Sequence, residues 1–348
     1  PPPPPAPTAP PAPTPPPPTP TPAGRPAITN ETAPRLKELR ALRGHSAAVQ
    51  EVATFSDSRH AISAAADGVL KIWDLSTLGE TRTIIGQSRA TEALALSPDG
   101  KRVATGADDG RVRLYDAGSG RELWSMDPLA GPVRAIAFSP DGRFMAVGGD
   151  DLRVRLWDLS GTIVPLASAG DKPERPARVW DHKNAVWALA FSPDGKYLIT
   201  GSDDGTTRVW DTSSNGTEVR GLRPISGAAG NVRAVAVSPD GRYILAGSER
   251  AITIWSLDSG RELHSVEPGA ITHGVAFAPA GPTGNSPTKV FAVALADRTV
   301  RLYEADTARE LTRLQAHSAP VLAVAFTPDA KHLTSASRDG TVIAWAVE

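Results

Sequence analysis

The residues of this chain that could do chemistry are seven histidines and a recurring series of aspartates. A histidine beside a carboxylate suits general acid–base work, and clustered histidines suit metal ligation. His45, His182 and His317 each precede a tryptophan, Trp73, Trp210 and Trp345, by 28 residues. An aspartate, Asp67, Asp204 or Asp339, stands six residues before each of those tryptophans. These sets read as buried Trp–Asp–His relays that fix geometry and satisfy polar groups, not as catalytic groups. The remaining histidines, His60, His264, His273 and His332, have no ligand-like spacing. The chain carries no G-x-x-x-x-G-K-[ST], H-E-x-x-H, EF-hand or G-x-S-x-G motif. Asn30-Glu31-Thr32 and Asn215-Gly216-Thr217 match the glycosylation acceptor pattern, which is common by chance.

The aromatic–acid step recurs along the whole chain and reveals the elements that must carry these residues. It appears at Trp73-Asp74, Tyr115-Asp116, Trp157-Asp158 and Trp210-Asp211, then degenerates at Trp255-Ser256, Tyr303-Glu304 and Trp345-Ala346. The intervals are 42, 42, 53, 45, 48 and 42 residues. A short alternating segment precedes each aromatic, as in Arg111–Tyr115 and Arg153–Trp157. Six residues before each aromatic lies an acid: Asp67, Asp109, Asp151, Asp204, Glu249, Asp297 or Asp339. Four of these acids open an Asp-Gly step, the mark of a tight hairpin. Upstream comes a Ser-Pro-Asp-Gly turn at 97–100, 139–142, 192–195 and 238–241, with degenerate copies at 278–281 and 327–330. Each unit therefore reads as strand a, turn, strand b, hairpin, strand c, strand d. Seven four-stranded units, none able to bury both faces alone, predict an all-β, seven-bladed propeller of antiparallel blades.

This pattern resembles the WD-repeat β-propeller family, from about residue 36 to the end of the sequence. The resemblance implies that three blades hold the family's full hydrogen-bond tetrad: His45, Ser63, Asp67, Trp73; His182, Thr200, Asp204, Trp210; and His317, Ser335, Asp339, Trp345. It also implies ring closure by an N-terminal strand, Leu36–Leu42, completing the last blade and leaving no open edge. The b–c and d–a loops of such propellers open on a top face. Gln50, Glu92, Arg134, Trp187, Arg233, His273 and Leu322 on the strands, with Asp108, Asp150, Asp203 and Arg338 on the hairpins, map there. Ala66, Ser248 and Ala296 complete the hairpin set. These positions vary on a repeated framework, so specificity can be written in them. Trp187 is the expected anchor, as a partly exposed tryptophan suits an interface hot spot. Glu92, Asp108, Asp150 and Asp203 predict an acidic arc over blades two to four, with Arg233, His273 and Arg338 basic opposite it.

Two insertions compete for the binding role: a c–d loop over 159–176 and an a–b loop over 279–288, both on the bottom face. The recurring Lys71, Arg113, Arg155, Arg208 and Arg301, two before each aromatic, read as a blade-face feature.

Composition sets the remaining bounds. The chain has 348 residues, 37 basic and 38 acidic side chains, and no cysteine. That balance disfavours nucleic acid as a partner. The absence of cysteine removes disulfides and thiolate chemistry, and fits either cytoplasm, marginally favoured, or export. No apolar run approaches the ~20 residues of a membrane helix. Of 33 prolines, 17 fall within residues 1–34, so 1–35 is expected to be a disordered polyproline-type linker to an upstream portion. Its PxxP steps could instead serve a proline-binding groove. The expectation is a monomeric, non-enzymatic scaffold or sensor module with a protein or peptide partner and no cofactor or metal. A propeller enzyme or small-ligand sensor using the central channel is the alternative, with His273 and Glu92 as its nearest candidates.

Overall fold

The computed structural model describes residues 25–85, 90–126, 129–160, 176–213, 217–222, 230–279 and 289–348. These residues form seven antiparallel sheets of four strands each. Blade one contains Val49–Thr54, His60–Ala65, Val69–Asp74 and Gly79–Ile85 as strands a to d. The next five blades repeat that order along the chain. The seventh takes strands a to c from Val321–Phe326, His332–Ser337 and Thr341–Val347, and its outer strand from Leu36–Arg43. The pairing runs from Leu36 opposite Val347 to Arg43 opposite Thr341. The ring is thus closed by pairing Leu36–Arg43 with strand c of the seventh blade. Each inner strand touches the inner strands of both neighbouring blades, which leaves a central channel.

Periodicity explains the layering. The aromatic that ends each strand c is buried, from Trp73 and Tyr115 to Trp345. Strands b are buried almost throughout, whereas strands d alternate toward solvent. Where blade meets blade, strand b needs a small residue. A methyl added at Gly106 would sit 2.3 Å from Val133 of the next blade, and one at Gly201 2.7 Å from Val232. Blades one, six and seven place Ala64, Ala294 and Ala336 at this position. The Asp-Gly hairpins turn through left-handed glycines such as Gly68 and Gly110. Leu152 and Arg298 occupy the same left-handed conformation without being glycine.

The last part of the proline-rich stretch lies among the described residues. Residues 1–24 lie outside the described residues, but 25–35 pack against the ring. Ile28 is fully buried, and its N–H donates to the Ala330 carbonyl at 2.7 Å. Asn30 donates to Glu304 at 2.6 Å, and a 3-10 turn at Ala33–Arg35 leads into the closing strand. These contacts lie ahead of the closing strand.

Candidate functional site

Three chains of hydrogen bonds cross the blades that carry histidine. In blade one the Trp73 indole N–H donates to Ser63 Oγ at 2.8 Å. Ser63 Oγ lies 2.8 Å from His45 Nε2, and His45 Nδ1 lies 3.3 Å from Asp67 Oδ2. Blade four repeats this with Trp210, Thr200, His182 and Asp204, and blade seven with Trp345, Ser335, His317 and Asp339. One proton assignment satisfies every link: indole to hydroxyl, hydroxyl to Nε2, and Nδ1–H to carboxylate. Each imidazole is then neutral. Burial lowers all three histidine pKa values, that of His182 to about 4. The three hydroxyl residues have no exposed surface, so a substrate cannot reach them.

The recurring basic residues have a partner role that spacing did not reveal. Arg113, Arg155 and Arg301 reach back four residues to Asp109, Asp151 and Asp297. Blades two, three and six have no histidine in the relay position, and there the guanidinium holds the hairpin carboxylate. Arg208 does the same beside His182, and Lys71 turns instead to Glu80.

The varying positions of the inner strands converge on one mouth of the channel. Gln50, Glu92, Arg134, Trp187, Arg233, His273 and Leu322 line a cavity of about 330 Å³ there, with Arg338 on its rim. Strand-pairing bulges place them. The register slips at the start of every strand a, as between Val49 and Glu51 or Val186 and Ala188, so the extra residue leaves the ladder. Trp187 is half-buried at the centre of a cation–π sandwich. The Arg134 guanidinium lies 4.8 Å from its ring centroid and that of Arg233 lies 4.0 Å away.

Within the expected acidic arc one arginine bridges the acids. Arg134 stands inside that arc, 3.0 Å from Asp150 and 3.4 Å from both Glu92 and Asp108. Arg233 spans Asp203 at 3.4 Å and Glu249 at 3.7 Å. Long guanidinium side chains reach across blade boundaries, so charge counted per blade does not describe the surface. Among the described residues Arg338 has no ion pair, and His273 faces only the cations Arg338 and Arg233. Burial and those cations lower the His273 pKa. Burial and Asp108 raise that of Glu92, against the pull of Arg134. No contact joins His273 to Glu92: the latter accepts from Gln50 at 3.2 Å and pairs with Arg134.

Three residues that line the mouth were not among the positions expected there: Glu51, Ile271 and Glu249, the last read only as a hairpin acid. Glu51 carries a readable signal, because the corresponding strand position in the other six blades is alanine or glycine. Of the expected hairpin positions only Arg338 lines the cavity; Ala66, Asp108, Asp150, Asp203, Ser248 and Ala296 do not. Most of the two expected bottom insertions, residues 161–175 and 280–288, lies outside the described residues. Among the described residues no three His, Cys, Asp or Glu side chains are grouped to hold a metal ion, and no helix is long and apolar enough to cross a membrane.

The fold defines a seven-bladed propeller whose channel mouth varies on a repeated frame. The family model described as WD domain, G-beta repeat matches at 36–74, 79–116, 125–158, 174–211, 221–256 and 308–346, and the chain belongs to this family. The unmatched blade is the sixth, where the Ser-Pro-Asp-Gly turn has become Ala278-Pro279-Ala280-Gly281. The chain is 30% identical over 175 residues to Periodic tryptophan protein 2 of Arabidopsis thaliana, a match covering 47% of this chain and 18% of that protein. It is 32% identical over 175 residues to the Protein LST8 homolog of Dictyostelium discoideum, covering 49% of this chain and 55% of the relative. It is 26% identical over 183 residues to the Target of rapamycin complex subunit wat1 of Schizosaccharomyces pombe, covering 48% and 52%. The matched regions thus span about half or less of each relative.

Proposed function

We propose that this chain is a non-enzymatic platform that binds a protein or peptide partner at the channel mouth lined by Trp187. The observation that carries this reading is the Arg134–Trp187–Arg233 sandwich. It sits where the inner strands cease to repeat, whereas the framework around it recurs blade after blade. A half-buried tryptophan held between arginines is a rigid anchor of the composition found at interface hot spots. The mixed charge around it suits a polypeptide better than a polyanion. A relative named as a complex subunit supports the same class of role.

The test is affinity capture with the full chain and with a variant carrying Trp187→Ala, Asp203→Arg and Arg233→Glu. A partner held by the first and lost by the second, with the circular dichroism spectrum unchanged, supports the platform. Retention by both moves the interaction to the opposite face or to the proline-rich segment.

A further inference from the structure

We infer that the channel mouth receives a cationic side chain of its peptide ligand, a lysine ammonium or an arginine guanidinium, on the carboxylate of Glu51 beside Glu92. The inference rests on the platform reading and names what that platform recognises.

The repeat itself is the control. In strand a, the residue just past the bulge is Ala93, Ala135, Ala188, Ala234, Gly274 or Ala323 in blades two to seven. It packs where neighbouring inner strands approach, so a small residue is the cheap solution. Only blade one puts a carboxylate there, Glu51. Its accessible surface opens into the channel cavities, two of which it lines.

The carboxylate also lacks the partner that every neighbouring acid of the mouth has. Glu92 and Asp150 are held by Arg134, and Asp203 and Glu249 by Arg233. Those two guanidiniums are committed to these pairs and to the Trp187 ring. Glu51 makes no ion pair among the described residues. Glu92, another acid, acts on it electrostatically, and Arg338, which lines the same cavity, makes no ion pair with it among the described residues. Burial pushes its pKa up to about 8. A half-buried carboxylate without a counter-charge costs stability that alanine in its place would not. A ligand cation supplies the missing charge. The cavity, about 330 Å³, lies at the small end of ligand sites, matching one inserted side chain. Leu322 and Ile271 supply apolar wall for its methylenes.

Two measurements on the full chain test this. Thermal melts at pH 8.5, where Glu51 is largely ionised, should show Glu51→Ala melting about 2–4 °C above the parent. A lower melting point would assign the carboxylate a structural partner and overturn the inference. A random peptide display library is then selected on the parent chain, and enriched peptides are retested on Trp187→Ala, Glu51→Ala and Glu51→Gln. Peptides lost on Trp187→Ala should share a lysine or arginine, and should bind both Glu51 variants about tenfold or more weakly. Peptides lost on Trp187→Ala that lack a basic residue, or that bind Glu51→Ala as tightly, overturn this inference and leave the platform standing. No enrichment, or enrichment indifferent to Trp187→Ala, overturns the platform and this inference with it.

Discussion

His182 donates a proton to Asp204 and accepts one from Thr200, so the fold has room for only one proton on its ring. Burial and the nearby Arg208 lower its pKa to about 4 from an ordinary 6.5. Between those values the unfolded chain binds the proton and the folded one does not. Stability must therefore fall as pH drops from 6.5 toward 4, by on the order of 3 kcal/mol from this residue. Asp204 is shifted down as well, so its contribution persists there and is lost only below the ordinary carboxylate range. Urea unfolding at pH 7, 5.5 and 4.5 should show this decline, and a shallower decline in His182→Gln, whose starting stability is lower. Equal slopes would show that another group titrates. The relay was legible in sequence because 28-residue intervals repeat three times. The Arg134 and Arg233 networks were not, because their partners stand in other blades, at separations that no local period marks. Glu51 lies between these cases: its column of alanines becomes visible only once the bulge fixes the register.

Hairpins and blade contacts carry the element-level predictions. Leu152 holds φ at 66° in a turn where blades one, two, four and seven use glycine, and its side chain is exposed. Leu152→Gly removes that strain at little cost in buried area. It should raise stability by about 0.5–1 kcal/mol after the greater freedom of glycine in the unfolded chain is offset. A drop in the urea midpoint would mean that the leucine side chain has a packing role. Strand b tells the opposite story. Gly106→Ala drives a methyl to 2.3 Å from Val133 of the next blade and should cost about 1–3 kcal/mol. Val133→Ala in the same chain should return part of that loss, so the double variant is more stable than the sum of the singles allows. Exact additivity would place the damage elsewhere. The Asp-Gly steps named the hairpins in advance, since an acid followed by glycine suits that turn. The small residues of strand b gave no such signal, because a need for small size arises from the neighbouring blade.

Closure is a property of the whole molecule, and it depends on residues about 300 positions apart in sequence. The orphan strand before His45 and the missing outer strand of the last blade made closure legible. The docking of residues 25–35 was not, since one isoleucine among Pro, Ala, Thr and Asn sets no period. Ile28 nevertheless joins the core of blades six and seven, beside Ala278, Val290, Phe326 and Val347. It docks at Ala330, in the a–b turn, and a–b turns lie at the end of each blade opposite the b–c hairpins. The docked segment therefore leaves the channel mouth uncovered. Ile28→Asp buries a charge against that core and should cost about 3–5 kcal/mol, with the ring still closed by Leu36–Arg43. Removing residues 25–43 should cost more, because it also strips the outer strand from blade seven and exposes the edge at Thr341–Val347. Hydrogen exchange separates the two effects. Ile28→Asp should speed exchange in Thr327–His332 and leave Thr341–Val347 protected, whereas the deletion should expose both. Loss of protection at Thr341–Val347 in the single variant would show that the docked segment, and not the closing strand alone, holds the ring shut.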